Sequence, residues 1–317
     1  MNQAQKLLSL ADVVIHGAVM GELAKPSYYR GKTVFYYSER LYKQRVKRWQ
    51  LPLRGIQFYY KYLWQQNALL LCASAYAAYD YSRSHTFRGK CFRWGYFPET
   101  KLFDPQTMIA AKNWRKILWC GRLIDWKHPE LAVETAARLR DHGVDFSMDI
   151  IGSGEMEEML REEIAARGLE DHVTLLGSMP PKYTREYMER SGILLFTSDR
   201  QEGWGAVLNE AMNSGCALIA SNSAGSVPFL ITDGENGFTF SNGDAEELFE
   251  KTRELLQDSA KAARFGASAY NTVKSLWNAE TAASRFLHFA EVAFTEKTIP
   301  VPYESGPLSL APILKDY

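Results

Sequence analysis

The chain has 317 residues, 46% of them apolar and 23% charged, enough for two domains with cores of their own; it reads as globular throughout, which excludes a disordered protein. Its net charge of zero hides a split, since residues 1–112 carry 17 Lys and Arg against 6 Asp and Glu while the remainder carries 20 against 31. Four scattered cysteines, Cys72, Cys91, Cys120 and Cys216, have neither metal spacing nor a pairing pattern, and with no signal peptide visible at Met1 they read as reduced thiols in the cytoplasm.

In chain order, Asp12 to Ile15 and Thr33 to Tyr37 are the first strand candidates. From Arg40 to Tyr79 there is no acidic residue; Arg40, Lys43, Arg45, Lys47, Arg48, Arg54 and Lys61 alternate with Tyr42, Trp49, Phe58, Tyr59, Tyr60, Tyr62 and Trp64. Basic residues mixed with aromatics suit an anionic membrane surface, so residues 40–64 are a candidate peripheral contact, at the inner face of the plasma membrane. A basic surface helix with its aromatics in the core fits the same pattern. No nucleic-acid motif accompanies the charge, and no nucleic-acid partner is expected. The longest apolar stretch, Asn67 to Tyr79, is too short to span a bilayer and reads as a core strand around Leu69 to Ala73. Lys90 to Trp94 is a further strand, and Phe97 to Asn113, with Pro98 and Pro105 and no periodicity, reads as a linker.

Beyond it strands and helices alternate. Lys116 to Gly121, Phe146 to Ile151, Val173 to Leu176, Ile193 to Thr197 and Ala217 to Ser221 read as strands; Pro129 to Leu139, Met156 to Arg167, a segment from Gly205 and another from Ala245 read as helices. Such alternation predicts an α/β fold with a doubly wound parallel sheet.

The stretch Glu202-Gly203-Trp204-Gly205-Ala206-Val207-Leu208-Asn209-Glu210 follows one of these strands. It places two carboxylates at a strand's carboxyl end, where open α/β sheets bind ligands. Gly203 and Gly205 allow close backbone approach, and a helix starting near Gly205 aims N–H groups and its positive dipole end at an anion. Carboxylates accept hydrogen bonds from vicinal sugar hydroxyls. A ligand with both phosphate and sugar satisfies both features.

With its neighbours, this stretch resembles the nucleotide-sugar-binding domain of retaining GT-B glycosyltransferases of the family 4 (group 1) type. The resemblance runs from Ile117 to about Phe286 and rests on Glu202-Gly203-Trp204-Gly205 with Glu210-Ala211, on Gly121-Arg122-Leu123 with Lys127, on Gly152-Ser153-Gly154, on Val173 to Gly177, and on Asp233-Gly234-Glu235-Asn236-Gly237. It implies two Rossmann-like doubly wound parallel-sheet domains facing a cleft: an acceptor-side domain at residues 1–110, a donor-binding domain at 111–290 and a C-terminal tail at 291–317, with helices near Trp277 to Phe294 crossing back to the first domain. The first strands of the acceptor domain precede a segment like Ala11 to Ile15 in that family, so the first domain is expected to be incomplete, with an exposed sheet edge.

By the same resemblance Arg122 and Lys127 grip the diphosphate of a UDP- or GDP-sugar, Glu202 takes the donor sugar's hydroxyls, and the amides of Gly203, Trp204, Gly205 and Ala206 face sugar and phosphate. Glu210 holds the ribose, with Gly177, Ser178 and Met179 near the base. The implied reaction is glycosyl transfer with retention to a saccharide or lipid-linked acceptor, as in bacterial surface polysaccharide assembly, with no cofactor and no metal required. Two positions depart from the pattern: Phe229 stands where the family more often has glutamate, and Phe35 to Glu39 lacks the histidine many relatives place near the reacting sugar. Glu39 is a candidate substitute there, while His16 and His85 read as structural. A sugar-nucleotide epimerase or hydrolase of the same fold, or a silent nucleotide-sugar-binding subunit, remain as alternatives.

Overall fold

Apolar runs without polar alternation build the strands of two separate sheets, because each sheet is covered on both faces. The structure, a computed structural model, describes residues 3–17, 26–43, 49–60 and 67–315. Arg45, Lys47, Arg48, Lys61, Tyr62 and Trp64 of the basic stretch lie outside the described residues. The chain divides into two compact units, Met1–Tyr96 with Ala279–Tyr317, and Phe97–Asn278.

The first unit begins with α1 (Gln3–Leu10), β1 (Val13–His16), β2 (Thr33–Ser38), α2 (Gln50–Phe58), β3 (Asn67–Cys72), α3 (Ala77–Arg83) and β4 (Cys91–Arg93). Its strands are parallel, in the order β1-β2-β3-β4. Successive side chains leave a strand on opposite faces. Val34, Tyr36, Leu70 and Cys72 therefore pack with Tyr81 and Phe87 on one side, while Phe35, Leu69, Leu71 and Phe92 form the other layer. His16 is buried between the rings of Tyr29 and Tyr36, and burial lowers its pKa. The apolar stretch from Asn67 is a strand only to Cys72, and Ala77 opens α3.

The second unit runs through α4 (Pro105–Ala110), β5 (Asn113–Cys120), α5 (Pro129–Asp141), β6 (Ser147–Ile151), α6 (Glu157–Ala166), β7 (Val173–Gly177), α7 (Pro181–Arg190), β8 (Ser191–Phe196), α8 (Ala206–Asn213), β9 (Ala217–Ser221), α9 (Val227–Leu230), β10 (Phe238–Phe240), α10 (Ala245–Gln257) and α11 (Ser259–Ser275). Six parallel strands lie in the order β10-β9-β8-β5-β6-β7. The chain winds outward from β5 through β6 to β7, then returns to β8 on the other side of β5. The β5/β8 pair is thus the topological switch point, the place where a parallel sheet opens a crevice at its carboxyl edge. Ile117, Trp119, Ile150, Ile193, Leu195 and Ile219 from these strands pack in one layer with Leu131 of α5 and Leu248 and Phe249 of α10.

The last helix, α12 (Ala279–Thr295), belongs to the first unit, where Phe289, Ala290 and Ala293 enter the layer of Phe35, Leu69 and Phe92. The chain after it lies along β4, with hydrogen bonds from Leu308 N to Arg93 O (2.8 Å), Arg93 N to Ser309 O (2.8 Å) and Ala311 N to Cys91 O (3.0 Å). One sheet edge is covered this way. At the other edge, β1 leaves Ile15 exposed.

The compact units meet the chain at Tyr96/Phe97 and Asn278/Ala279, whereas the sequence pattern put the divisions at 110/111 and 290/291. Contacts with the second unit account for the difference. Lys101 exchanges backbone bonds with the Asn213 amide (2.8 and 3.0 Å), Phe103 N donates to the Tyr270 hydroxyl (2.7 Å), and Asp104 caps α4. The segment that lacks periodicity is therefore fastened to the second unit by these polar bonds together with the rings of Phe97 on Trp277 and Phe103 on Tyr270 and the buried Met108.

Candidate functional site

Three hydrogen bonds tie β5 and the loop after it to the loop after β8. Trp119 Nε1 donates to Thr197 Oγ1 (2.8 Å), that hydroxyl donates to Lys127 O (2.6 Å), and Asp199 N donates to Trp126 O (3.0 Å). The two loops form one frame over the switch point. Within it Lys127 Nζ and Glu202 Oε2 are joined as an ion pair, and Ser198 Oγ donates to the same carboxylate oxygen at 3.3 Å. The Glu202 backbone is fixed as well, its N–H on Asp199 O (3.1 Å) and its carbonyl receiving Gly225 N (3.1 Å). Glu202 is only 8% exposed, and the lysine beside it offsets the cost of burying its carboxylate.

Gly205 ends the loop with φ +87°, and a Cβ there would fall 2.4 Å from Phe196 Cζ. Only glycine fits such a turn. It is the N-cap of α8 and supplies no capping side chain, and the first turn of α8 holds no acid. The N-terminal amides of α8 and the positive end of its dipole therefore face the loop uncompensated by the helix itself. Gly203 is buried beneath this turn, and Ala206 is half-buried at the helix start.

Trp204 is fully buried: its ring packs on Phe229 (6.3 Å) and Trp277 (6.0 Å), and Nε1 donates to Asn209 Oδ1 at 2.8 Å. Its side chain supports the loop from below and leaves only its backbone for a ligand. Phe229, one of the departures from the family pattern, stacks on Trp277 with rings 14° apart and so serves packing.

Glu210 is half-buried on α8, and burial raises its pKa against the opposing pull of Arg185. Its charge is felt at Cys120, the last residue of β5, whose thiol is pushed up to about 12, by burial first and by Glu210 next, with Lys127 acting the other way. Lys127, Glu202 and Glu210 are thus brought to one edge of the β5/β8 pair.

Arg122 is exposed, with its guanidinium 5.5 Å from the Trp126 ring centroid; Lys127 Nζ lies 4.7 Å from the same ring. Trp126 orders both cations, a role the sequence pattern did not assign. Gly177 ends β7 and Ser178 and Met179 follow it, two strands from β5, which at strand spacing is about 10 Å away. Ser178 is exposed and Gly177 O accepts Gly152 N at 2.9 Å.

The Gly152-Ser153-Gly154 turn serves loop contact. Gly121 N donates to Ile151 O and Leu123 N to Ser153 O, both at 3.0 Å, and a Cβ on Gly152 would lie 1.8 Å from Gly121 O. The Asp233 to Gly237 turn is likewise held internally, with Thr239 N on Asp233 Oδ1 (2.6 Å) and Thr232 N on Asn236 Oδ1 (2.8 Å).

His128 was not singled out by sequence. It stands in the left-handed region (φ +50°) at the N-cap of α5, its Nδ1 2.7 Å from Glu130 Oε1 and its Nε2 3.9 Å from Asp199 Oδ2. Bonding to Asp199 and then Glu130 raises its pKa to about 9. Among the described residues no group of three His, Cys, Asp or Glu is placed to hold a metal ion, and no helix is long and apolar enough to cross a membrane.

Residues 104–272 match the family model described as Glycosyl transferases group 1. The amylovoran biosynthesis glycosyltransferase AmsK of Erwinia amylovora is 30% identical over 198 residues, covering 61% of this chain and 48% of that protein. The chain spans about half the length of the curated relatives it matches. Among solved structures, a glycosyltransferase from Rickettsia africae ESF-5 superposes with a TM-score of 0.69 at 16% identity, covering 93% of this chain and 81% of that one. Anabaena HepE in complex with UDP superposes with a TM-score of 0.66 at 15% identity, covering 90% and 80%. At such identities the two structures speak to the fold.

Proposed function

This chain belongs to the group 1 glycosyl transferases, and from that premise we propose that it transfers a sugar from a UDP- or GDP-sugar to a saccharide or lipid-linked acceptor, with retention of anomeric configuration. The observation that carries the reading is the Lys127–Glu202 ion pair beside the uncapped start of α8 at the switch point. A diphosphate entering there meets a lysine and a helix dipole of the right sign. Lys127 exchanges Glu202 for phosphate, and Glu202, released, accepts hydrogen bonds from sugar hydroxyls. Glu210 takes the ribose hydroxyls, and Gly177, Ser178 and Met179 face the base.

As the glycosidic bond breaks, negative charge grows on the leaving diphosphate. Lys127, Arg122 and the α8 amides are fixed where that charge appears, which favours the transition state over the ground state. The acceptor hydroxyl attacks from the face the diphosphate leaves, and the departing phosphate receives its proton. The scheme calls for no resident metal, since these groups supply the positive charge. The names of AmsK and HepE-UDP support surface polysaccharide assembly and a uridine donor. The acid-free segment 40–64 supports an acceptor held at the inner face of the plasma membrane.

The test is thermal unfolding with UDP, GDP, ADP and their sugar conjugates, for wild type and Glu210→Ala, followed by product analysis with and without acceptor lipid extract. A nucleotide at one hundred times its Kd stabilises by about 2.7 kcal/mol. A shift from one nucleotide family, lost in Glu210→Ala, together with acceptor-dependent nucleotide release, is the expected result. Release without acceptor would mean a hydrolase or epimerase, and no shift at all would overturn the reading.

A further inference from the structure

Helix α2 of the first unit is built with its apolar side outward. Leu51 and Gly55 face the protein, Gly55 so closely that a Cβ would lie 2.4 Å from the Ser84 carbonyl oxygen. Trp49, Leu53, Ile56 and Tyr60, spaced i, i+4, i+7 and i+11, are 65%, 62%, 57% and 65% exposed, and Tyr59 beside them is 50% exposed. Helical geometry places such positions on one face. Soluble helices turn that spacing of large apolar residues inward, so this face needs an occupant.

The charges around it select one. No acid occurs from Arg40 to Tyr79. Arg54 of α2 and Arg83 of α3 both lie against the Tyr42 ring, at 5.7 and 5.4 Å, and Arg88 follows in the next loop. Arg45, Lys47, Arg48 and Lys61, adjacent in the chain, have the same sign. A second copy of the chain would set this basic surface against itself, since a twofold interface pairs like with like. At 1.5 Å per residue the nine-residue helix is about 14 Å long and about 10 Å wide, so its face covers on the order of 140 Å², small beside the roughly 800 Å² per partner of a stable dimer. Tryptophan and tyrosine on an apolar face with arginine at its border match a lipid headgroup region, where the rings sit at the interface and the cations meet phosphates.

We propose that the Trp49, Leu53, Ile56 and Tyr60 face of α2 is an interfacial docking surface that lies in the headgroup layer of an anionic phospholipid bilayer. It narrows the membrane contact proposed above to one helix face and stands on the first unit alone, so failure of the nucleotide experiments would leave it intact.

The experiment is co-sedimentation of the whole chain with vesicles of phosphatidylcholine, with or without about 30 mol% phosphatidylglycerol, enough to set an anionic surface potential. Wild type, Leu53→Ser/Ile56→Ser and Arg54→Glu are compared, with thermal unfolding as the folding control and sedimentation velocity for self-association. Wild type should bind the anionic vesicles at least about tenfold more tightly than the neutral ones, and less as salt rises. The double serine variant should lose about tenfold or more at an unchanged unfolding midpoint, and Arg54→Glu should lose affinity for anionic vesicles only. Absence of wild-type binding, equal binding to both vesicles, wild-type binding by the double variant, or a concentration-dependent dimer that the same substitutions abolish would each overturn the proposal.

Discussion

Lys127 and Glu202, 75 positions apart in the chain, close on each other across the β5/β8 boundary with side chains only 14% and 10% exposed. A carboxylate so enclosed is stable because the ammonium is there. Lys127→Met should cost about 3–5 kcal/mol in urea unfolding, and adding Glu202→Gln should recover most of it. Transfer activity should fall at least about 100-fold in either single variant, since in the proposed scheme each group meets the donor.

Gly152→Ala should be among the most damaging substitutions in the second unit. Its Cβ would sit 1.8 Å from the Gly121 carbonyl oxygen, so two loops must part. A loss above about 4 kcal/mol is expected. Gly143→Ala, equally left-handed at φ +65° but facing open space, should cost only about 1–2 kcal/mol in the same denaturant series.

How much of this was legible in the sequence depends on how local each signal is. Glu202 and Glu210 could be found because nine consecutive residues and the strand before them carry the pattern. For Trp204, in the same run, the pattern implied an amide facing the ligand but gave no sign that its ring is held by Phe229 and Trp277, which are distant in sequence. Helix α7 begins at Pro180-Pro181, which reads as a turn, and α11 is rich in small residues on a face that packs against α8 and β9, so neither announced itself by periodicity. The frame made by Trp119, Thr197 and the Lys127 carbonyl exists only because β5 and β8 are neighbours, a pairing set by topology.

His128 gives the second unit a pH dependence. Its pKa rises from 6.5 to about 9 on folding, so the charged form adds stability that is complete below pH 6.5 and lost as pH climbs through about 9. Unfolding midpoints measured from pH 6 to 10 should fall across that window. His128→Asn, which tolerates the left-handed backbone, should flatten this part of the curve.

Glu210, whose pKa is raised too, makes stability fall with rising pH in the same direction, but here it is the charged form that is unfavourable. Burial raises its pKa, so its ionised form costs the fold stability at neutral pH. Glu210→Gln should therefore unfold at a higher temperature than wild type without nucleotide, and should lose the shift that a nucleotide produces. The pair of scans separates a residue kept for binding from one kept for stability.

The first unit is written in two pieces, with α12 returning to it after the whole second unit. Its layer of Phe35, Leu69 and Phe92 has no Phe289 or Ala293 to close it until the ribosome has passed Ala293, while every strand of the second sheet has by then been made. During synthesis the second unit can fold while the first still waits for its last helix. A premature stop near Asn278 would consequently leave a competent second sheet attached to an open, chaperone-binding partner, rather than two equally damaged halves.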